Sequence, residues 1–363
     1  MSKALFINDH EVRALITPKL AIEAAKAGMK EYGIRKATNV PRSKIILEDG
    51  LFRAMMASIP SLDVVGIKQG MWLSSEAKGK TNEVERRTEL VTLFSISEGR
   101  ILAVINSPTL NQLRTAAGSG LATEYLSRED SSSVGVIGTG PHALSQLEAV
   151  AAVRHVKNIY VYSRSEENRL KFVEKAESVL SASVEAVNTS TKAVKQSDII
   201  IEATYSRTPV FNGEDVMEGA HINSIGSSFA GKQVIPDSLF SKLSLYVVDF
   251  KEQAIYDGSG DILNPIAHGF LEYNSILDLG EIVAERHKGR INVTDITLYK
   301  SLGMGLLDVS VAKSVYDEAL IKGVGLEIPV LKYKKSSISP YLAFSNFCCR
   351  DSESGKSIAV IWQ

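Results

Sequence analysis

The sequence predicts an α/β protein in which a doubly wound parallel sheet follows a smaller α+β unit. Two observations indicate this fold class. From residue 133 onward, apolar runs of strand length alternate with helical patterns, which is typical of parallel β-α units. Before residue 130, several short strand patterns follow one long helical pattern, which is typical of an α+β sheet. A chain of 363 residues is long enough for two such units, each with its own core.

The first unit opens with a predicted strand at residues 4–7 and a helix from residue 18 to about 35. Thr17 suits the N-cap of this helix and Pro18 its first position. Apolar side chains then recur at helical spacing, at Ile22, Ala25, Met29 and Tyr32. Short strands are predicted after the helix, at residues 43–47, 51–56, 64–69, 90–94 and 101–106, and a second helix at 113–126.

The second unit begins with a strand at 133–137 and a helix at 142–153. Further strands are predicted at 158–163, 184–187, 198–204, 221–225, 245–250 and 296–299. A helix over 307–321 follows the last strand and could return to the first unit. We therefore predict one domain of residues 1–128 plus about 307–332, a second of residues 129–306, and a loosely ordered tail at 333–363.

Between the first strand and helix of the second unit lies a Gly-x-Gly-x-x-Ala pattern, formed by Gly138, Gly140 and Ala143. Gly138 permits a tight turn, Gly140 lets the backbone approach a pyrophosphate, and the small Ala143 keeps helix and strand close. The free N–H groups at the start of the helix then face the phosphates. The strand–turn–helix–strand context favours a dinucleotide site over an unliganded tight turn.

The end of the next strand predicts which dinucleotide is bound. NAD-binding sites usually carry an acidic residue there, which binds the ribose 2′-hydroxyl. This chain has Ser163 and Arg164 instead, and an arginine can pair with a 2′-phosphate. We therefore favour NADP(H), with NAD(H) possible. The alternative is that Arg164 is a solvated surface residue.

The composition is that of an ordinary globular protein, with 44% hydrophobic residues and a formal net charge of -1. We therefore expect neither a nucleic-acid nor a membrane partner, and the chain has no apolar run of membrane-spanning length. The two cysteines, Cys348 and Cys349, are adjacent and form no metal-binding spacing. We expect a cytoplasmic protein without a metal site.

Three cations in the first unit lie in apolar or small-residue surroundings: Arg42, Lys68 and Arg114. Buried cations are costly unless an anion pairs with them, so several in one cleft would bind a substrate carboxylate. Desolvation could also lower the pKa of Lys68, which would let it exchange a proton with an amine or imine. Internal salt bridges are the alternative for each. Arg53 is a fourth candidate, but its alternating strand position predicts a solvent-facing side chain.

A series of motifs, in order, resembles the ornithine cyclodeaminase/mu-crystallin family across residues 4–332. The first motifs contain Arg42, Lys68 and Arg114, and the Gly-x-Gly-x-x-Ala pattern follows. The later motifs lie at residues 221–226, 231–232, 279–282 and 300–304. The resemblance implies a homodimer in which a Rossmann domain is joined to a discontinuous α+β substrate-binding and dimerisation domain. A small imino or amino acid would meet the nicotinamide between them.

The resemblance also implies roles for individual residues. Arg42, Lys68 and Arg114 match the family's carboxylate-binding and proton-handling cations. Other positions match its cofactor site: Thr115, Gly138, Thr139, Gly140, Pro141, His142 and Ala143 at the loop, Ser163 and Arg164 at the ribose, and Thr204, Ile225, Ser227 and Ser228 near the nicotinamide.

One departure separates the activities of the family. Its cyclodeaminases and archaeal alanine dehydrogenases carry an aspartate where this chain has Ser228, and a hydroxyl is a poor substitute for a carboxylate in proton transfer. The ketimine reductase branch resembles this chain in having serine there. The sequence therefore predicts an NADPH-dependent reductase of small cyclic ketimines, such as Δ1-pyrroline-2-carboxylate or Δ1-piperideine-2-carboxylate.

Three alternatives stay open. Ornithine cyclodeamination would regain support if Asp261 or Asp308 lay within reach of the substrate amine. An alanine-type dehydrogenase or opine-type synthase would act on an open-chain substrate, and a binding protein would turn over none.

The charged segment 81–89 is either an exposed loop or part of the substrate pocket.

Overall fold

The computed structural model describes residues 2–73, 87–226, 229–330, 349–350 and 357–358. The strands within these residues are β1 (Ser2–Ile7), β2 (Thr38–Asn39), β3 (Ser43–Leu47), β4 (Gly50–Ile59), β5 (Val64–Leu73), β6 (Arg87–Ser95), β7 (Ile101–Asn106), β8 (Ser133–Ile137), β9 (Asn158–Tyr162), β10 (Ser183–Ala186), β11 (Ile199–Glu202), β12 (His221–Ser224), β13 (Leu245–Val248), β14 (Ile276–Asp278), β15 (Thr297–Lys300), β16 (Leu326–Val330), β17 (Cys349–Arg350) and β18 (Ser357–Ile358).

The α-helices of the same residues are α1 (Asp9–Leu15), α2 (Pro18–Gly33), α3 (Pro108–Leu126), α4 (Ala143–Ala151), α5 (Glu166–Val179), α6 (Ser190–Lys195), α7 (Asp237–Phe240), α8 (Lys251–Asp257), α9 (Gly260–Ala267), α10 (Leu279–Val283) and α11 (Gly305–Lys322). None of the described helices is long and apolar enough to cross a membrane.

The first sheet has the order β16-β1-β7-β6-β5-β4-β2, with β3 paired to β4. Its β4–β7 pairs are antiparallel, and α11 covers one face, with α2 and α3 packed against α11. The start of α2 agrees with the prediction, because Thr17 Oγ1 accepts a hydrogen bond from the Leu20 N–H at 3.3 Å. Ile22, Ala25 and Met29 are buried in the core, as their spacing predicts.

The second sheet is parallel throughout, in the order β10-β9-β8-β11-β12-β15-β13-β14. This confirms the predicted doubly wound α/β fold. The strand order reverses between β8 and β11, and ligands of such sheets bind at the carboxyl ends of the strands beside that switch point. Here those ends are Ile137 and Glu202.

The chain passes from the first sheet to the second after α3 and returns through residues 301–304 into α11. Asp249 holds the returning segment, since its carboxylate accepts hydrogen bonds from the N–H groups of Leu302 and Gly303, both at 2.8 Å. After α11, β16 pairs antiparallel with β1. The residues that follow the second sheet therefore rejoin the first sheet at β1.

Several elements differ from the predictions. The short α1, β2 and β14 were not predicted, because two to seven residues carry too little periodicity. The helix α4 begins at Ala143, with His142 as its N-cap. In the C-terminal tail, β17 and β18 pair antiparallel, and the rest of the predicted loosely ordered tail lies outside the described residues.

Candidate active site

Two adjoining cavities lie at the switch point of the second sheet. The first, here called the outer groove, is lined by the Gly138–Gly140 turn and by residues that follow β9 and β11. The second, here called the inner cavity, has a volume of about 240 Å³ and is lined by residues of both sheets. The two share Gly140, Ala203, Thr204 and Tyr205, so they form one continuous cleft.

The glycine turn has the geometry of a diphosphate cradle. Gly138 has a φ of +98°, and a Cβ there would lie 2.5 Å from the carbonyl oxygen of Ala203. At Gly140, a Cβ would meet only that same oxygen, at 4.0 Å, so this side of the turn is open. Ala143 is fully buried behind it. These residues are suited to a dinucleotide whose diphosphate lies against the start of α4.

His142, Thr139 and Pro141 complete the turn. The His142 Nδ1 atom is buried and has no hydrogen-bond partner among the described residues. Burial, together with the nearby charges of Arg114 and Arg87, lowers the pKa of His142 to about 4. The imidazole is therefore neutral at physiological pH. Thr139 lines the outer groove, and Pro141 the inner cavity.

At the far end of the outer groove, the structure places Ser163 and Arg164 together as predicted. The Ser163 hydroxyl donates to the Ser165 carbonyl at 3.0 Å, and Arg164 is exposed. No described residue lining the groove is acidic. The sequence did not reveal that Arg169, one turn into α5, reaches back to donate to the Ser163 carbonyl.

Glu202 holds the junction of the two cavities together, and the sequence analysis missed it. Its carboxylate accepts hydrogen bonds from the Thr204 N–H at 2.9 Å, the Thr204 hydroxyl at 2.6 Å and the Gly226 N–H at 3.1 Å. A Cβ on Gly226 would lie only 2.3 Å from a Glu202 oxygen. One signal could have found it, because Glu202 is a lone charge after three isoleucines of a buried strand.

A second buried pair supports this junction. Lys300 Nζ donates to the Gly226 carbonyl at 2.8 Å and lies 2.7 Å from Asp261. Asp261 also accepts from the N–H groups of Val234 and Ile235, at 2.6 and 2.9 Å. It lines neither cavity, so Asp261 supports the fold and does not face a substrate amine.

Thr204 and Ile225 both line the inner cavity at this junction. Thr115 lines it from α3, where its hydroxyl donates to the Asn111 carbonyl at 2.7 Å. Ser227 and Ser228 lie outside the described residues, so the prediction based on Ser228 has no structural test here.

Arg42 is buried in the wall of the inner cavity. Its Nη1 lies 2.9 Å from Asp257, and its Nη2 donates to the Leu302 carbonyl at 2.8 Å. Asp257 is fully buried and also pairs with Lys44. Burial lowers the pKa of Arg42 from its ordinary value. Arg42 therefore forms an internal salt bridge, which was the alternative prediction, and also lies in the wall of the cavity, as a substrate-binding role requires.

Lys68 and Arg114 share one buried carboxylate. Asp308 Oδ1 lies 3.1 Å from Lys68 Nζ and 3.1 Å from Arg114 Nε. The two cations also share Asn111, whose Oδ1 accepts from Lys68 and, at 2.6 Å, from Arg114 Nη2. Asn111 and Arg114 line the inner cavity, whereas Lys68 is 1% exposed and lies directly behind them.

Lys68 has a lowered pKa, and Arg114 has a buried donor without an acceptor among the described residues. Burial lowers the pKa of Lys68 to about 8; Asp308 opposes the shift and Arg114 adds to it. Arg114 Nη1 is buried without a hydrogen-bond acceptor among the described residues. An unpaired guanidinium donor in a cavity wall is suited to a ligand carboxylate.

The prediction that Arg53 faces solvent is wrong. Its side chain is 16% exposed, lines the inner cavity, and lies over the Trp72 ring with 3.9 Å between the guanidinium carbon and the ring centroid. The reason is Gly70, which pairs in register with Arg53 on one side and Glu89 on the other. Without a side chain between them, Arg53 Nη2 approaches Glu89 Oε1 to 3.4 Å.

For the charged segment 81–89, two predictions were left open, an exposed loop and a part of the substrate pocket. Residues 81–86 lie outside the described residues, but Arg87 and Glu89 belong to β6. Glu89 is 2% exposed, and Arg87 lines the inner cavity. Part of the segment therefore shapes the cavity.

The chain is similar in sequence to known proteins of one family. The sequence model of the ornithine cyclodeaminase/mu-crystallin family matches residues 2–323. A Δ1-pyrroline-2-carboxylate reductase of Bacillus cereus is 31% identical over 329 residues, which are 89% of this chain and 99% of that protein.

Two solved structures have the same fold over nearly their whole length. The Δ1-pyrroline-2-carboxylate reductase of Thermococcus litoralis, in complex with NADH and L-proline, is 33% identical with a TM-score of 0.82, covering 89% of this chain and all of that one. An archaeal alanine dehydrogenase dimer with bound NAD is 32% identical with a TM-score of 0.82, covering 91% of this chain and all of that one. With a family match over residues 2–323 and these relatives, the chain belongs to the ornithine cyclodeaminase/mu-crystallin family.

Proposed function

We propose that this protein is a reductase that uses NAD(P)H to convert small cyclic ketimines, such as Δ1-pyrroline-2-carboxylate and Δ1-piperideine-2-carboxylate, into cyclic amino acids. The observation that carries the proposal is the Lys68–Asp308–Arg114 cluster, which lies at the inner cavity beside the dinucleotide turn. The relatives with reductase activity on Δ1-pyrroline-2-carboxylate support the substrate class.

Arg114 and Arg42 bind the substrate carboxylate in this proposal. Arg114 brings a buried Nη1 for which the described residues provide no acceptor, and Arg42, in the same wall, has a buried Nε that also lacks one among them. Losing one charged contact of this kind costs about 1.5–3 kcal/mol, or about one to two decades in rate.

Lys68 keeps the imine nitrogen protonated, which makes the imine carbon electrophilic. Its pKa of about 8 lets it hold a proton at neutral pH and exchange it near that pH. It stands one side chain behind the cavity wall, beside Asn111 and Arg114. When bound, the nicotinamide supplies the hydride for the imine carbon.

The residues proposed to hold the dinucleotide are those of the turn and the groove: Gly138, Thr139, Gly140, Pro141, His142, Ala143 and Thr115, with Thr204 and Ile225 at the nicotinamide end. Ser227 and Ser228 are assigned to that end by their sequence position alone. We propose NADP(H) as the preferred form, because Arg164 lies at the groove and no described lining residue is acidic. The solved relatives hold NADH and NAD, so NAD(H) use is the alternative.

We further propose a homodimer and the domain division at residues 128/129 and 306/307. The face of the first sheet opposite the helices leaves apolar side chains exposed, among them Met56 and Val65 at 38% each, and Ile45 on β3 at 60%. A patch of this kind is typical of a protein interface. Strands β1–β7 and β16 form one sheet and β8–β15 the other, which supports the division.

Ornithine cyclodeamination is the second candidate, because Asp308 lies 3.1 Å from Lys68 and could take up the amine proton. Against it, this chain has Ser228 where the cyclodeaminases of the family carry an aspartate. An NAD(P)-dependent amino-acid dehydrogenase of the alanine type remains a third activity within the family.

The proposal is tested by following NADPH absorbance with Δ1-piperideine-2-carboxylate or Δ1-pyrroline-2-carboxylate, with a parallel ornithine reaction assayed for ammonia. Stoichiometric NADPH loss with a ketimine is the expected result. Ammonia from ornithine without net cofactor change would make the protein a cyclodeaminase instead. An Arg114→Ala variant with full ketimine activity would contradict the assigned carboxylate site.

A further inference from the structure

The inner cavity carries more positive charge than a substrate with one carboxylate needs. Of the described residues that line it, five are lysines or arginines and none is acidic: Arg42, Arg53, Arg87, Arg114 and Lys232. In the proposed function, Arg42 and Arg114 bind the single carboxylate of the ketimine. Arg53 and Arg87, on β4 and β6, then have no role in that reaction.

The strand register locates Arg53 relative to the proton source. Lys68 and Gly70 point to the same face of β5, and Arg53 pairs in register with Gly70. Because a strand rises about 3.4 Å per residue, the row of Arg53 lies about 7 Å beyond the row of Lys68. A group that extends from the imine by a few bonds would therefore reach Arg53.

The guanidinium of Arg53 is held in place for such a group. It lies over the Trp72 ring at 3.9 Å, and its Nε is buried without a hydrogen-bond acceptor among the described residues. Its anionic neighbour, Glu89, is shared, since that carboxylate also pairs with Arg87 and lies 3.5 Å from Lys68. Glu89 and Asp308 together are two carboxylates for four cations, Arg53, Arg87, Lys68 and Arg114, which leaves a surplus of positive charge.

The neighbouring charges make this surplus unfavourable without a ligand. Burial, together with the nearby charges of Arg42, Arg114 and Arg87, lowers the pKa of Arg53 to about 10 against the opposing effect of Glu89. An anion bound at Arg53 would relieve both the repulsion between the guanidinium groups and the unpaired Nε.

We propose that the substrate carries a second carboxylate, which Arg53 binds, so that the preferred substrate is the imine of a dicarboxylic amino acid. This inference rests on the proposed function and specifies the substrate of that site. The reaction is otherwise unchanged: the imine carbon accepts the hydride, the nitrogen keeps its proton, and both carboxylates pass intact into the amine product.

The test compares two substrates that differ only in the second acid group, Δ1-piperideine-2-carboxylate and Δ1-piperideine-2,6-dicarboxylate, at saturating NADPH. We expect the wild-type kcat/KM to be at least tenfold higher for the dicarboxylate. In Arg53→Met, the ratio of the two kcat/KM values should fall to near one. Arg87→Met is the matched control, and it should change the ratio less because Arg87 is 40% exposed.

Two results would overturn the inference while leaving the reductase proposal intact. The first is a wild-type ratio near one, or a ratio that Arg53→Met leaves unchanged. The second is a loss of NADPH affinity in Arg53→Met without a change in the substrate ratio, which would assign Arg53 to the cofactor.

If neither imine is reduced, the reductase proposal fails, and binding then decides the inference by itself. Calorimetry on the NADP⁺-loaded protein would compare piperidine-2-carboxylate with piperidine-2,6-dicarboxylate. Binding of the diacid at least tenfold tighter, and lost in Arg53→Met, would support a two-carboxylate site. Equal affinities would contradict it.

Discussion

Asp308 links Lys68 to Arg114 at the wall of the inner cavity, with one carboxylate oxygen 3.1 Å from Lys68 Nζ and 3.1 Å from Arg114 Nε. It lies in the first turn of α11, where the helix dipole favours a negative charge. Lys68 comes from β5 and Arg114 from α3, so one carboxylate fixes groups from three separate elements.

The activity should depend on the proton of Lys68. Since burial lowers its pKa from 10.5 to about 8, Lys68 is protonated below that pH and loses its charge above it. If the protonated form is required, kcat/KM for ketimine reduction should be flat below pH 8 and fall about tenfold per unit above it. The measurement is a pH profile of wild type and Lys68→Arg. Arginine does not titrate in this range. A fall of kcat/KM above pH 8 that persists in Lys68→Arg would therefore report a titrating group of the substrate.

Replacing Asp308 should shift the pH above which kcat/KM falls, here called the alkaline limb of the profile. Asp308 raises the pKa of Lys68 against the effect of burial, so Asp308→Asn should shift the limb to lower pH. It should also lower the free energy of unfolding by about 3–5 kcal/mol, because buried cations lose their partner. Asp317→Asn is a matched control on the same helix, since Asp317 pairs with Lys313 at the surface. An unmoved limb in Asp308→Asn would show that Asp308 does not control the Lys68 proton.

Substitutions of the two glycines of the dinucleotide turn should have different effects, one on stability and the other on NADPH binding. Gly138→Ala should lower the melting temperature, because a Cβ at a φ of +98° would also lie 2.5 Å from the Ala203 carbonyl oxygen. Gly140→Ala should leave the melting temperature nearly unchanged and weaken NADPH binding, because its Cβ would project into the open side of the turn. Thermal unfolding and fluorescence titration with NADPH measure the two effects. Full NADPH affinity in Gly140→Ala would place the diphosphate elsewhere.

Arg164→Asp should reverse the preference between the two nicotinamide cofactors. A charged contact to the 2′-phosphate contributes about 1.5–3 kcal/mol, so the ratio of kcat/KM for NADPH over NADH should fall by at least tenfold. Arg207→Asp serves as the comparison, because Arg207 also lines the outer groove. A fall in Arg207→Asp but not in Arg164→Asp would move the 2′-phosphate contact to that residue.

The fold was predictable from the sequence because its signals are local. Apolar periodicity placed most of the long strands and helices to within five residues, and the glycine turn stood in its required context. The 14-residue α5 was not predicted, because only Arg169, Phe172 and Ala176 of its residues are buried. Chain segments that carry two to seven residues of structure, such as β2 and α1, were not predictable, because one turn or one strand pair has no period to detect.

The site was predictable where single residues break a pattern, and not where partners come from distant segments. Lys68 stands out within an apolar strand, but the sequence does not show that Asp308, 240 positions later, is its partner. Arg53 was misjudged because strand alternation gives a side chain's face only relative to its neighbours. Which face becomes the cavity depends on Gly70 and on the packing of the second sheet.

The returning segment 301–304 gives the cleft a property that neither sheet has alone. It joins the second sheet to α11, forms part of the inner cavity through Ser301, Leu302 and Gly303, and accepts a hydrogen bond from Arg42. Any rotation of one sheet against the other must bend this backbone. A movement of this segment would therefore also displace the Arg42 guanidinium in the cavity wall, and Asp249, directly after β13, holds the segment on the side of the second sheet.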